Sequence, residues 1–367
     1  MDSVEYPMDA PAEAALTSPP APQVELVITS AAPSVSAKVF QEFSDIAKLC
    51  HICMGHVAVE AGLPKKTEVV LADDLKAEVM KRMRTEPGVD KSFEPERPLG
   101  RVAGKNLAQD DKWDHVVIVF DAADWVRGDG AEASRKLLQT SLVAHEIAHP
   151  VLARIRVASG VADGVQYPSV TPGEIARSMT RVAMDEYFVD KIADILVGKI
   201  FSKGDGEAKQ PAFVWDVSSA DYKGRLRELL DKSYQELPGL VNACRVRTIP
   251  LEEMWRRVVS SLDHLLTIFI HARAHADASG DVPLLDSPEI KDLPFVRLYL
   301  ADTIPALLSE FRDTPPILPP AEWRERELKV IKAGEAAIRE IWRRLGLTFG
   351  EPENRGGYRI HVGSPLR

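Results

Sequence analysis

The chain has 367 residues, 45% of them apolar, and carries a net charge of −9. That apolar content can build one large or two ordinary domains, and the negative charge argues against a general affinity for nucleic acid or anionic membrane. Three cysteines, an odd number, argue against a disulfide framework and fit a reducing compartment.

Residues 1–23 are rich in Pro, Ala and Ser and read as a disordered tail. The tail carries Asp2, Glu5 and Asp9 and lacks a basic start and a long apolar stretch, so no secretory signal is expected. No apolar run reaches the roughly 20 residues of a membrane helix. A cytoplasmic protein is therefore expected. Val24 to Ile28 predicts a first strand and Ser36 to Ala61 a helix. That helix contains Cys50, His51, Cys53 and His56. No second C-x-x-C follows and Cys244 stands alone, so core packing is expected there rather than a metal. Thr67 to Leu71 reads as a strand and Asp74 to Met83 as a helix. Glu86 to Asp111, broken by Pro87, Pro95 and Pro98, reads as a loop. Val116 to Phe120 is the clearest strand, β-branched and wholly apolar.

Asp129-Gly130 is a turn signal, and Ala131 to His149 follows it as a helix. Leu138, Leu142, His145 and His149 form one stripe at helical spacing. The stripe holds the string His145-Glu146-Ile147-Ala148-His149. Two imidazoles four residues apart share a helix face and can both reach one Zn²⁺. Glu146 between them can serve as general base toward an attacking water. Pro150 removes an N–H and restricts its predecessor, so the helix is expected to kink or end at His149.

A third ligand is needed, leaving the fourth position open. Leu152 and Ile155 stand where a metzincin would have Gly and His, which excludes that pattern. The expected source is a later helix, opened by the capping box Thr171-Pro172-Gly173-Glu174 and running to about Phe201. Within it Glu186 and Asp190 share a face. Glu186 is placed to ligate zinc and Asp190 to accept the outer N–H of a ligand histidine. Glu174, the competing acid, is used by the capping box.

His145-Glu146-x-x-His149 followed by Glu186-x-x-x-Asp190 resembles the gluzincin zinc metallopeptidases, the thermolysin-like group. The string from Glu186 to Leu196 is also similar to the ligand helix of the ImmA/IrrE-like intracellular metallopeptidases. The resemblance spans residues 115–200 and implies His145, His149 and Glu186 as ligands, Glu146 as catalytic base and Asp190 behind a ligand histidine. It implies a peptide or protein substrate. The gap from His149 to Glu186 is longer than the compact thermolysin-like spacing. In the resembling families a strand at the place of Val116 to Phe120 forms the sheet edge that pairs with an extended peptide. Its uniform apolarity fits a buried central strand equally well.

The remainder reads as mainly helical. Pro250 to Asp277 is one long helix that ends before Gly280, Leu284 to Phe311 holds at least one more, and Ala321 to Leu345 is a further helix stopped by Gly346. Glu322, Arg324, Glu325, Arg326 and Glu327 read as its solvated face. Thr314 to Pro320 reads as a linker or sharp corner. His264, His271 and His275 share one stripe of the Pro250 helix. They fit a polar face near the helix end, or a donor for the oxyanion of a hydrolysis. The expected architecture is α+β and mainly helical: a tail (1–23), a zincin-like metallopeptidase core with a small sheet (24–204) and a helical C-terminal region (205–367). The expected activity is zinc-dependent peptide-bond hydrolysis. The alternative is a non-catalytic zincin-like scaffold that binds a partner and uses zinc only as a brace.

Overall fold

The computed structural model describes residues 24–58, 62–84, 93–97, 100–126, 132–161, 171–201, 220–279, 284–312, 315, 317–350 and 359–366. The tail, the Asp129-Gly130 turn, Gly280 and parts of the 86–111 and 314–320 segments lie outside these residues.

The fold is α+β and mainly helical, with a small mixed sheet. Four strands lie in the order β1 (Glu25–Ala31), β2 (Lys66–Ala72), β6 (His115–Asp121), β5 (Gly104–Ala108). The first three run parallel, joined through α1 (Ala37–Val57) and α2 (Leu75–Arg82), and β5 is antiparallel to β6. Ser36 caps α1 by accepting from the Val39 N–H, and Asp74 caps α2 by accepting from the Ala77 N–H. Two short strands, β3 (Glu96–Arg97) and β4 (Gly100–Arg101), precede β5, and a single helical turn, α3 (Ala123–Val126), follows β6.

Two apolar layers cover the sheet. Val69, Leu71, Val116, Ile118 and Phe120 face the large core built by α1, α4 (Glu132–Ala158) and α5 (Pro172–Phe201). Val70, Ala72, Val117 and Val119 face a smaller core under α2 that also takes Leu107 of β5. The Val116 strand is thus buried on both faces and central, which accounts for its unbroken apolarity. The edge beside α4 belongs to β5. That strand falls inside the segment expected to be a loop. Its residues Gly-Lys-Asn-Leu-Ala have little strand propensity, and it exists because β6 offers a partner.

The sequence predicts α4 to kink or end at His149; of these an end is excluded, because the helix continues through Pro150 to Ala158. Pro150 brings no N–H to the Glu146 carbonyl, yet Val151, Leu152 and Ile155 beyond it are buried in the core and hold the last turns. α5 opens on the capping box: the Thr171 N–H donates to Glu174 Oε2 at 2.9 Å and the Glu174 N–H donates to Thr171 Oγ1 at 3.2 Å. Beyond α6 (Ala220–Arg245), α7 (Leu251–Ser279) packs on α5. The short helices α8 (Pro288–Lys291) and α9 (Ile304–Arg312) lead to α10 (Pro320–Arg344), which also lies on α5. A hairpin of β7 (Leu347–Phe349) and β8 (Ile360–Val362) follows. The large core is one cluster that takes residues from either side of position 204.

One expectation about α10 is corrected. Glu327 is fully buried, not part of a solvated face. Its Oε2 accepts from Arg156 Nε at 3.0 Å and from Trp323 Nε1 at 2.9 Å. Arg156 also makes a two-pronged bond to Asp185, so the network ties α4, α5 and α10 together. Among the described residues no helix is long and apolar enough to cross a membrane.

Candidate metal centre

Helical spacing brings His145 and His149 together on α4, their Nε2 atoms 3.2 Å apart. Glu186 of α5 closes the triangle: its Oε2 lies 3.4 Å from His145 Nε2 and 4.0 Å from His149 Nε2. Ligand atoms about 2.0–2.1 Å from a tetrahedral zinc stand roughly 3.3 Å from one another. Three donors at these separations fit that requirement, and two imidazole nitrogens with one carboxylate oxygen are a donor set zinc accepts. His145, His149 and Glu186 are the residues that would hold it.

Asp190, one turn beyond Glu186, stands behind the site. Its Oδ1 accepts from His145 Nδ1 at 2.9 Å, which leaves Nε2 of that ring turned to Glu186. Its Oδ2 accepts from His271 Nδ1 at 2.6 Å. His271 comes from α7, and its Nε2 lies 3.8 Å from Glu186 Oε2. It does not join the group of ligand atoms that lie within 4.8 Å of one another, which holds only the three residues above among those described. His271 is thus buried at the rim of the site, and neither His264 nor His275 of the same stripe belongs to the three-ligand group.

The electrostatics favour positive charge at this spot. Burial opposes a charged His145, but the carboxylates of Asp190 and Glu186 outweigh it and hold the ring protonated well above the usual histidine range. His271 is raised by the same two acids against the same opposition. Burial alone would push Glu186 and Asp190 up, yet the surrounding histidines draw both below the ordinary carboxylate range.

Glu146 is buried and points from α4 to the sheet edge. Its Oε2 accepts from Asn106 Nδ2 at 2.5 Å. Both the edge strand and Asn106 were hidden to sequence reading. A Gly-Lys-Asn run inside a Pro-broken segment carries no alternating pattern, so periodicity offers no signal there. His271 was legible as a member of a stripe, but its contact with Asp190 depends on how α7 docks on α5.

Comparison of the chain with known protein families, with curated proteins and with solved structures gives no match.

Proposed function

We propose that this protein is a zinc-dependent peptidase of the gluzincin type, acting on peptides or proteins in the cytoplasm. The observation that carries the reading is the triangle of His145, His149 and Glu186, with Glu146 between the two histidines and Asp190 behind one of them. When bound, zinc supplies Lewis-acid activation of the scissile carbonyl and of the attacking water. Glu146 takes the proton from that water at its carboxylate and passes it to the leaving amine. His271, held by Asp190 through Nδ1 with Nε2 3.8 Å from Glu186 Oε2, is the candidate donor to the oxygen that gains charge.

The edge strand supports a peptide as substrate. In the β5–β6 ladder the Asp121 N–H donates to the Ala103 carbonyl and the Gln109 N–H to the His115 carbonyl. The intervening odd-numbered residues therefore face β6, and the backbone groups of Gly104, Asn106 and Ala108 point away from it, along the outer edge. An extended peptide laid on that edge gains main-chain hydrogen bonds beside Glu146 without a sequence requirement. The three cysteines are unpaired, which fits the reducing cytoplasm.

The test is Glu146→Gln, which keeps shape but cannot accept a proton. The expected outcome is a split: zinc and fold retained, hydrolysis reduced by on the order of 10²- to 10⁴-fold. Cleavage of an extract proteome is compared for wild type and variant. Identical profiles from two zinc-loaded proteins would contradict the peptidase reading and favour a scaffold in which zinc only braces α4 and α5.

A further inference from the structure

The sheet edge does more than offer backbone to a ligand. Gly104 lies directly against the general-base candidate: a Cβ built on it would stand 2.7 Å from Glu146 Cγ, 2.8 Å from Cδ and 2.9 Å from Oε1. Two residues on, the Asn106 amide donates to Glu146 Oε2 at 2.5 Å. Both residues face α4 because alternation along β5 turns Leu107 to the opposite core. Asn106 Oδ1 is buried with no hydrogen-bond partner among the described residues. An amide that leaves its acceptor unmet while its donor holds a carboxylate is not optimised for stability. The opposite amide orientation would set Oδ1 against Oε2, two acceptors facing each other.

We infer that Gly104 and Asn106 are positioning residues for Glu146. The missing side chain at 104 lets the carboxylate lie against the strand, and the Asn106 amide fixes its rotation, so that the base is set beside the substrate-binding edge. Register with β6, Gly104 opposite Phe120 and Asn106 opposite Ile118, makes the pair part of the rigid sheet. This inference rests on the peptidase reading for its catalytic meaning. The contact itself is testable without any activity.

The chain has three asparagines, Asn106, Asn242 and Asn354, so selective ¹⁵N-asparagine labelling gives three side-chain amide pairs. In the full-length zinc-loaded protein, Asn106→Ala identifies the Asn106 pair by its loss. That pair is expected to move on Glu146→Ala while the other two stay. An Asn106 pair that ignores Glu146→Ala would overturn the inference. In parallel, Asn106→Ala and Gly104→Ala are expected to lower kcat by roughly 10²-fold with KM and zinc stoichiometry kept, as misplacement of a reacting group does. Unchanged kcat in a folded, zinc-loaded Asn106→Ala protein would also overturn it. A wild type without activity would instead sink the peptidase reading, and the amide signal would still decide the contact. Should Gly104→Ala fail to fold, Asn106→Ala carries the test alone.

Discussion

Asp190 of α5 and His271 of α7 meet at 2.6 Å, although 81 residues separate them in the chain. The same carboxylate holds His145 at 2.9 Å through its other oxygen. One buried acid therefore orients the His145 ring on α4 and fastens α7 to α4 and α5. Asp190→Ala is expected to weaken zinc binding by about 10- to 100-fold. His271→Ala leaves the bond to His145 in place. It should change zinc affinity little but lower stability by about 1–3 kcal/mol, since a buried acceptor loses its partner. Chelator competition and denaturant midpoints separate the two effects. Equal zinc affinity in wild type and Asp190→Ala would remove Asp190 from its supporting place.

Glu327 is expected to be a stability residue. Glu327→Ala takes one carboxylate from the buried Arg156, which keeps its bond to Asp185, takes the same carboxylate from beside Arg181, and strips Trp323 Nε1 of its acceptor. Breaking a buried pair from one side costs about 3–5 kcal/mol. A urea midpoint within error of wild type would contradict the network drawn here.

Gly334 of α10 tests packing against propensity. In an exposed helix interior, Gly→Ala gains about 1 kcal/mol. Here the added methyl would overlap the fully buried Thr180, whose hydroxyl donates to the Ala176 carbonyl at 2.8 Å. Overpacking costs about 1–3 kcal/mol, so Gly334→Ala should be net destabilising. A stabilised variant would show that α5 and α10 pack less tightly than described.

The three observed ligand candidates and the acid behind them were legible because each is a local pattern: i, i+4 on α4 and i, i+4 on α5. Their meeting required only that two long helices pack, which the apolar faces of both already favour. The edge strand was not legible, because Gly104 to Ala108 is a strand by pairing rather than by composition. Glu327 misled for a related reason. It sits in a run of charges that reads as a solvated face, and the arrival of Arg156 from α4 and Arg181 from α5, with the Trp323 indole N–H, makes its burial tolerable. That α4 does not end at Pro150 was not legible either, because local backbone rules ignore the core contacts of Val151, Leu152 and Ile155.

His51 sets an acid limit. It is buried on α1, its Nε2 has no hydrogen-bond partner among the described residues, and burial pushes the ring below the usual histidine value. Above about pH 6.5 the ring is neutral in both folded and unfolded chains. As pH falls the unfolded chain takes up the proton first, so stability is lost from about pH 6.5 downward until the folded pKa is reached. His51→Leu should flatten that part of the stability profile. An unchanged slope would mean that His51 is not the group responsible.

The most direct measurement is equilibrium zinc binding by the chelator-stripped full-length protein, for wild type, Glu186→Ala and Glu146→Gln together. One tightly bound zinc per wild-type chain is predicted, lost or strongly weakened in Glu186→Ala and kept in Glu146→Gln. No zinc binding by wild type, or equal binding by wild type and Glu186→Ala, would contradict the three-ligand centre on which the proposed function stands.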